Sequence, residues 1–194
     1  MKKILFACLT VLFLNACGTT KPSTFYALDS GAIPADEPEQ ANAGKVKIGI
    51  EPVIIPNYLN RPQIVIRDDD GVTLKISEFN RWGEQIGDVF PRVLADSMNI
   101  TLGYPAAKQI NVNRDLFLYR LLVEVSRFDA SFGKDAVLSA WWTLTSRDGK
   151  TVYRSRSVLT HPVGNTYADA AEAERTLIVR LGGIIGNAVR KKIK

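Results

Sequence analysis

The chain has 194 residues, 46% of them hydrophobic, with 25 Lys and Arg against 20 Asp and Glu. A formal net charge of +5 is too slight for the electrostatic footprint of a nucleic-acid binder. One histidine and two cysteines leave little with which to build a metal cluster or a disulfide framework.

The N-terminus sets out the layout of a secretory signal: Lys2 and Lys3, an apolar run from Ile4 to Leu14, then Leu14-Asn15-Ala16-Cys17. The run is too short to span a bilayer. A cysteine directly after the cleavage point resembles the bacterial lipobox, which implies that residues 1–16 are a lipoprotein signal peptide and Cys17 the lipid attachment site. Removing 16 of 194 residues leaves 178 and lowers the charge to +3, because Lys2 and Lys3 leave with the leader. That length suits one domain, here 25–194, on a short lipidated tether, 17–24. Residues 18–24, fully extended, reach at most ~25 Å, so the domain sits close to its membrane. Cys8 leaves with the leader and Cys17 is acylated, so no thiol remains for chemistry.

Phe25 to Leu28 reads as a short strand, followed by a Pro, Ala and Glu-rich loop from Gly31 to Gly44. Val46, Ile48 and Ile50 alternate with polar neighbours as a strand that Pro52 and Pro56 close. Ile64 to Ile66 and Val72 to Ile76 flank Asp68-Asp69-Asp70-Gly71, a hairpin signal; the ligand spacing of a calcium loop is missing. Ile86, Val89, Phe90, Val93, Leu94, Ser97, Met98, Thr101 and Leu102 recur at three and four, predicting a helix that Gly103 ends. Pro91 either falls in the first turn of a helix beginning near Phe90 or interrupts a longer one.

Three alternating strands follow as a meander. Phe117, Tyr119, Leu121, Val123 and Val125 share a face of the first, and Leu138, Ala140, Trp142 and Leu144 a face of the second. Arg147-Asp148-Gly149-Lys150 turns into the third, Thr151 to Leu159. A second helix starts at Thr166, which with Asp169 forms a capping-box-like pair, and continues through Ala170, Leu177, Ile178, Leu181, Ile185 and Val189. Glu174 is the one charge on its stripe. Gly182 and Gly183 point to close packing against the sheet or another chain. The basic end, Arg190, Lys191, Lys192 and Lys194, complements the helix dipole. The expected fold is α+β: a mainly antiparallel sheet with both long helices on one face.

Catalytic constellations are missing. His161 has no cysteine to pair with and no Gly-x-Ser-x-Gly elbow accompanies it, zinc lacks ligands, and no glycine-rich phosphate loop lies between a strand and a helix start. No catalytic, metal or cofactor residue is assigned.

Two blocks remain: Pro56 to Val65, containing Tyr58, Leu59, Arg61, Pro62 and Gln63, and Ser77 to Glu84, containing Glu78, Phe79, Trp82 and Glu84. With the lipobox and Phe25-Tyr26-Ala27-Leu28-Asp29, they resemble the PqiC-like auxiliary lipoproteins of ABC-type intermembrane transport systems. The resemblance covers the mature chain, with Asn80 and Pro91 as departures. It implies a non-enzymatic, periplasm-facing lipoprotein that works with a substrate-binding protein of the mammalian-cell-entry type and its inner-membrane complex in moving lipids between membranes. Gly18, not being aspartate, implies sorting to the outer membrane by the rule of enteric-type bacteria. A free-standing lipid carrier, an outer-membrane assembly chaperone and a degenerate enzyme or cell-wall-binding module are the competing classes. No nucleic-acid partner is implied.

Tyr58, Leu59, Arg61, Pro62, Gln63 and Trp82 form either a docking loop or an anchor packed under the first helix. Leu116, Leu118 and Leu122 project away from the core face of their strand, as does Trp141 from its own. Leu118 and Trp141 therefore mark a second candidate interface, with the transport partner or between copies of the chain in a homo-oligomer. For the N-terminus, mass spectrometry of the mature protein should find Cys17 acylated, and Cys17→Ala should move the protein from the membrane to the soluble fraction. An unmodified N-terminus, or unchanged fractionation of the variant, contradicts the lipobox.

Overall fold

The computed structural model describes residues 20–31, 47–110 and 114–193, so the leader, Cys17 and most of the 31–44 loop lie outside the described residues. Strands β1 (Thr24–Tyr26), β2 (Ile48–Ile50), β3 (Gln63–Arg67) and β4 (Leu74–Trp82) precede helix α1 (Ile86–Leu102). Then come β5 (Ala107–Gln109), β6 (Tyr119–Ala130), β7 (Asp135–Ser146), β8 (Thr151–Pro162) and helix α2 (Tyr167–Lys192).

The strongest local signals in the sequence form as expected. Between β3 and β4 the acidic triplet is a turn: Asp70 Oδ1 accepts from the backbone N–H of Val72 and of Thr73, each at 2.8 Å, and Gly71 adopts a positive φ of 72°. Asp68 and Asp69 pair with Lys75 and Lys134, both at 2.8 Å. Helix α2 opens on a full capping box, Thr166 Oγ1 accepting from the Asp169 N–H at 3.1 Å and Asp169 Oδ2 accepting from the Thr166 N–H at 3.0 Å. Helix α1 ends on Gly103 at φ 79°, whose N–H donates to Asn99. It begins at Ile86, so Pro91 lies inside it and supplies no N–H to the carbonyl of Gly87.

Strand β6 is the centre of the sheet. Along one edge β7 pairs antiparallel from Tyr119–Ser146 to Ala130–Ala136, with a bulge at Ser126, and β8 follows β7 in the same sense. The other edge of β6 is divided. Strand β2 pairs parallel with Tyr119–Leu121, Ile54 bridges to Glu124, and β3 meets Ala130 in parallel. Beyond β2 lies β5, parallel; beyond β3 lie β4, antiparallel, and β1, parallel to β4. The sheet is thus mixed, where alternation and turn signals predict a mainly antiparallel one. Antiparallel neighbours announce themselves through tight turns, whereas the parallel pairs here are closed by long excursions with no local signature.

Both helices lie on the concave face of this curled sheet, and the core fills the space between. Phe90 of α1 meets Phe128 of β6 edge to face at 5.7 Å. Leu121, Val123, Leu138, Ala140, Trp142 and Leu144 are buried, as the alternation predicts, and the Trp142 indole N–H donates to Ser157 at 3.1 Å.

The helices touch each other through glycine, and the partner of Gly182 is neither the sheet nor another chain but α1. A Cβ on Gly182 would fall 2.5 Å from Ser97 Cβ and 3.1 Å from the Leu94 carbonyl, whereas one on Gly183 meets nothing closer than Thr101 Oγ1 at 3.7 Å. Gly182→Ala should therefore destabilise by about 1–3 kcal/mol of overpacking, less the ~1 kcal/mol gained in helix propensity, and Gly183→Ala should stabilise by up to ~1 kcal/mol. Urea unfolding of the two variants checks the opposite signs.

Candidate functional site

The first block of motif residues fills a gap in the sheet. Between Glu124, bridged by Ile54, and Ala130, met by β3, the edge of β6 has no strand beside it. A short 3-10 turn, Asn57–Leu59, occupies that gap. Its Tyr58 hydroxyl donates to Asp129 Oδ2 at 2.9 Å and accepts from the Phe128 N–H at 3.4 Å, so a side chain supplies what a neighbouring strand would.

Asp129 is the hub. The Ser126 bulge puts it opposite Val137, on the face away from the helices, yet its side chain is fully buried. Arg67 Nε donates to Oδ1 at 2.8 Å and Arg67 Nη2 to Oδ2 at 2.6 Å, a two-pronged pair, and Arg127 Nε donates to Oδ1 at 3.0 Å. Burial alone would raise the Asp129 pKa; the hydrogen bonds of Arg67 and Tyr58, with the charges of Arg127 and Arg67, outweigh it and hold the carboxyl below its ordinary range. The Tyr58 hydroxyl is pushed up to about 12, first by burial and then by the charge of Asp129.

Leu59 and Trp82 are buried in the core, Tyr58 is half-buried against it, and the Trp82 N–H donates to the Pro62 carbonyl at 2.6 Å. Gln63 sits opposite Arg81. The fold thus gathers Tyr58, Leu59, Arg61, Pro62, Gln63 and Trp82 into one corner. Leu59 and Trp82 do the work of anchors there, Pro62 is exposed, and the Nε of Arg61 is buried without an acceptor among the described residues.

Leu118 and Trp141 lie elsewhere: Trp141 on the convex face of β7, and Leu118 in the bend that precedes β6 rather than on the far face of the strand, where alternation places it. On that face Trp141, Ile54 and Val158 are 41%, 55% and 58% exposed, while Leu116 (64%) and Leu118 (45%) are exposed in the 3-10 turn and the bend that precede β6. The Arg154 guanidinium stands 5.0 Å from the centre of the Trp141 ring. Beside them runs an open groove of about 600 Å3, lined by Glu51, Ile54, Arg114, Arg120, Leu122 and Arg154 among others.

Sequence reasoning missed Asp129, Arg67 and Arg127, because a bulge cannot be read from alternation and Arg67 lies 62 positions from the aspartate it pairs with. Among the described residues, no cluster of three or more His, Cys, Asp or Glu could hold a metal ion, and no helix is long and apolar enough to cross a membrane.

The fold class is an α+β domain with both helices on one face of a curled mixed sheet and exposed apolar side chains on the other. Residues 26–185 match the family described as ABC-type transport auxiliary lipoprotein component, and the chain belongs to that family. It is a family of transport components, and of lipoproteins held at a membrane and facing the periplasm. No curated protein matches the sequence. A crystal structure of an uncharacterized protein superposes with a TM-score of 0.70 at 16% identity, covering 87% of this chain and 99% of that one. Protein XCC0632 from Xanthomonas campestris gives 0.67 at 16% identity, covering 84% and 93%. These likenesses establish the fold.

Glu174, the charge noticed on the α2 stripe, is buried in the core at 3% exposure. Burial first, and the charge of Asp129 second, raise its pKa well above 4.5. An acid whose folded pKa is raised contributes no penalty below its unfolded pKa, and costs stability as pH climbs from there through the folded value. Thermal unfolding from pH 4 upward should therefore show the wild type losing stability relative to Glu174→Gln; parallel curves for the two proteins contradict the shift.

Proposed function

We propose that the protein is the membrane-tethered docking subunit of an intermembrane lipid transport system of the ABC and mammalian-cell-entry type. Acyl chains on Cys17 hold it at the outer membrane, facing the periplasm, while its domain binds and positions the periplasmic transport protein that leads to the inner-membrane complex. Membership of the auxiliary lipoprotein family supports the setting. The observation that carries the docking role is the convex face, where Trp141, Ile54 and Val158 stay exposed although both helices and the core lie on the other side, with Leu118 exposed at the entry to β6.

An apolar patch around an aromatic ring and a stacked arginine has the make-up of an interface centre. The Arg61 to Gln63 corner offers a second contact, with exposed Pro62 at its surface. A lipid carrier, the runner-up, calls for an enclosed apolar cavity. The groove beside Leu122 is instead open and lined by two glutamates and three arginines, which favours a protein surface over an acyl chain.

Leu118→Glu and Trp141→Glu test the reading. Each should cut capture of the transport protein from gently solubilised envelopes by tenfold or more, about 1.4 kcal/mol, while shifting the melting temperature by no more than a few degrees. If light scattering shows that the variants lose mass instead, the face joins copies of this chain. Unchanged capture and unchanged mass rule out the interface, and a collapsed melting temperature places these side chains in the core.

A further inference from the structure

Strand β8 is the sheet's long open edge. It pairs with β7 alone, whereas the other outer strands, β1 and β5, have three residues each against twelve in β8. Two hydrogen bonds fix which backbone groups face outward. The Val163 N–H donates inward to the Lys134 carbonyl at 2.7 Å, so odd-numbered residues address β7. The Thr160 carbonyl instead accepts from Arg180 Nη1 at 2.6 Å, a side chain reaching round the edge from α2. Residues in an antiparallel strand alternate in this respect. From Tyr153 onward the register is unbroken, so the N–H and C=O groups of Arg154, Arg156, Val158 and Thr160 point away from the sheet. Among the described residues Arg180 is the one group that engages them.

A long unpaired edge is a template for another strand, and proteins that must keep such an edge closed shorten it, bulge it, cover it or charge it, so the arginines of β8 admit only a segment of opposite charge. Strand β8 is regular over this stretch and, apart from Arg180 at Thr160, uncovered among the described residues. Its outward side chains state what it would accept: Arg154 is 57% exposed at its side chain, with Glu124 only at 3.9 Å, Arg156 is exposed and touches Ser139 Oγ at 3.1 Å, and Val158 is 58% exposed. A strand laid alongside needs acidic side chains opposite Arg154 and Arg156 and an apolar one opposite Val158, since opposite charges directly across a ladder stabilise and like charges destabilise. A second copy supplies no carboxylate opposite either arginine, and pairing centred on Arg156, or midway between the two arginines, sets guanidinium against guanidinium.

We propose that the β8 edge binds a partner protein by strand addition, taking an extended segment in which two alternate acidic residues follow an apolar one. The inference rests on the docking role proposed above and gives it a recognition mode: main-chain hydrogen bonds to the four outward residues, with Arg154, Arg156 and Val158 selecting the sequence.

The probe is a fluorescent peptide, Thr-Val-Thr-Glu-Thr-Glu-Thr, added to the full-length protein in nonionic detergent, with a control in which both Glu are Lys. The Glu peptide should bind and the Lys peptide should not, and Arg154→Glu with Arg156→Glu should reverse that order. Hydrogen exchange should slow at the amides of Arg154, Arg156, Val158 and Thr160 when the Glu peptide is present. Val158→Pro removes an outward N–H without touching the β7 ladder, so it should weaken the peptide about tenfold with the fold kept. Equal binding of the two peptides, protection at Glu51 to Ile54 instead of β8, or an undiminished Val158→Pro complex overturns the proposal. So does concentration-dependent protection of the same amides without peptide, which assigns the edge to a second copy. Val158→Pro protein that still captures the transport partner as wild type does sinks strand addition and leaves the docking role; wild-type protein that binds the Glu peptide but captures no transport protein does the reverse.

Discussion

The shared edge of β6 is the constraint on which the rest of the structure depends. One twelve-residue strand must be satisfied on that side by β2, by Ile54, by the Tyr58 hydroxyl and by β3 in turn. Leaving the Phe128 N–H unpaired in that gap would cost about 1–3 kcal/mol, and the Tyr58 ring that prevents this also reaches Asp129. Asp129 in turn is tolerable in the interior only because Arg67 and Arg127 surround it. Removing one member leaves a buried charge exposed to the low dielectric, which is why such clusters are costly to break and contribute less to stability than their short distances suggest.

The cluster also explains the motif around Tyr58 without reference to a partner. Pro56 and Pro62 stiffen the connection, Leu59 buries itself, and Trp82 ties β4 back to Pro62. The segment must cross from β2 to β3 along one edge of one strand, and each residue fixes a step of that path. What such a path leaves over is Arg61, whose Nε has no acceptor among the described residues, and exposed Pro62. Most of the block thus answers to the fold.

The elements legible in the sequence are those whose cause is local. Asp70 and Gly71 make a turn wherever they occur in such a setting, Thr166 and Asp169 cap a helix by themselves, and the alternation of Leu138, Ala140, Trp142 and Leu144 has one buried reading. Burial of the helical stripes followed too, as did the exposure of Trp141 on the far side of its strand. What escaped has a distant cause. The three residues of β2 are held by β6 and β5, some sixty to seventy positions on, and nothing in Ile48-Gly49-Ile50 says parallel. Likewise Gly182 signalled close packing, but that Ser97 and Leu94 are what it packs against depends on the crossing of two helices separated by the entire meander.

The two faces of the sheet are unequal for a physical reason that bears on function. Helices α1 and α2, locked together at Gly182 and Gly186, can cover only the concave side, because their apolar stripes are already consumed there. The convex side must then be made soluble by its own side chains, and it is so only in part: Arg120, Glu124 and Arg154 alternate with Leu122, Trp141 and Ile54. A protein free in bulk water gains nothing from that mixture. A lipoprotein held at a membrane, as its family is, meets other envelope proteins at raised effective concentration, where a modest apolar surface with charged borders suffices for a contact that forms and releases.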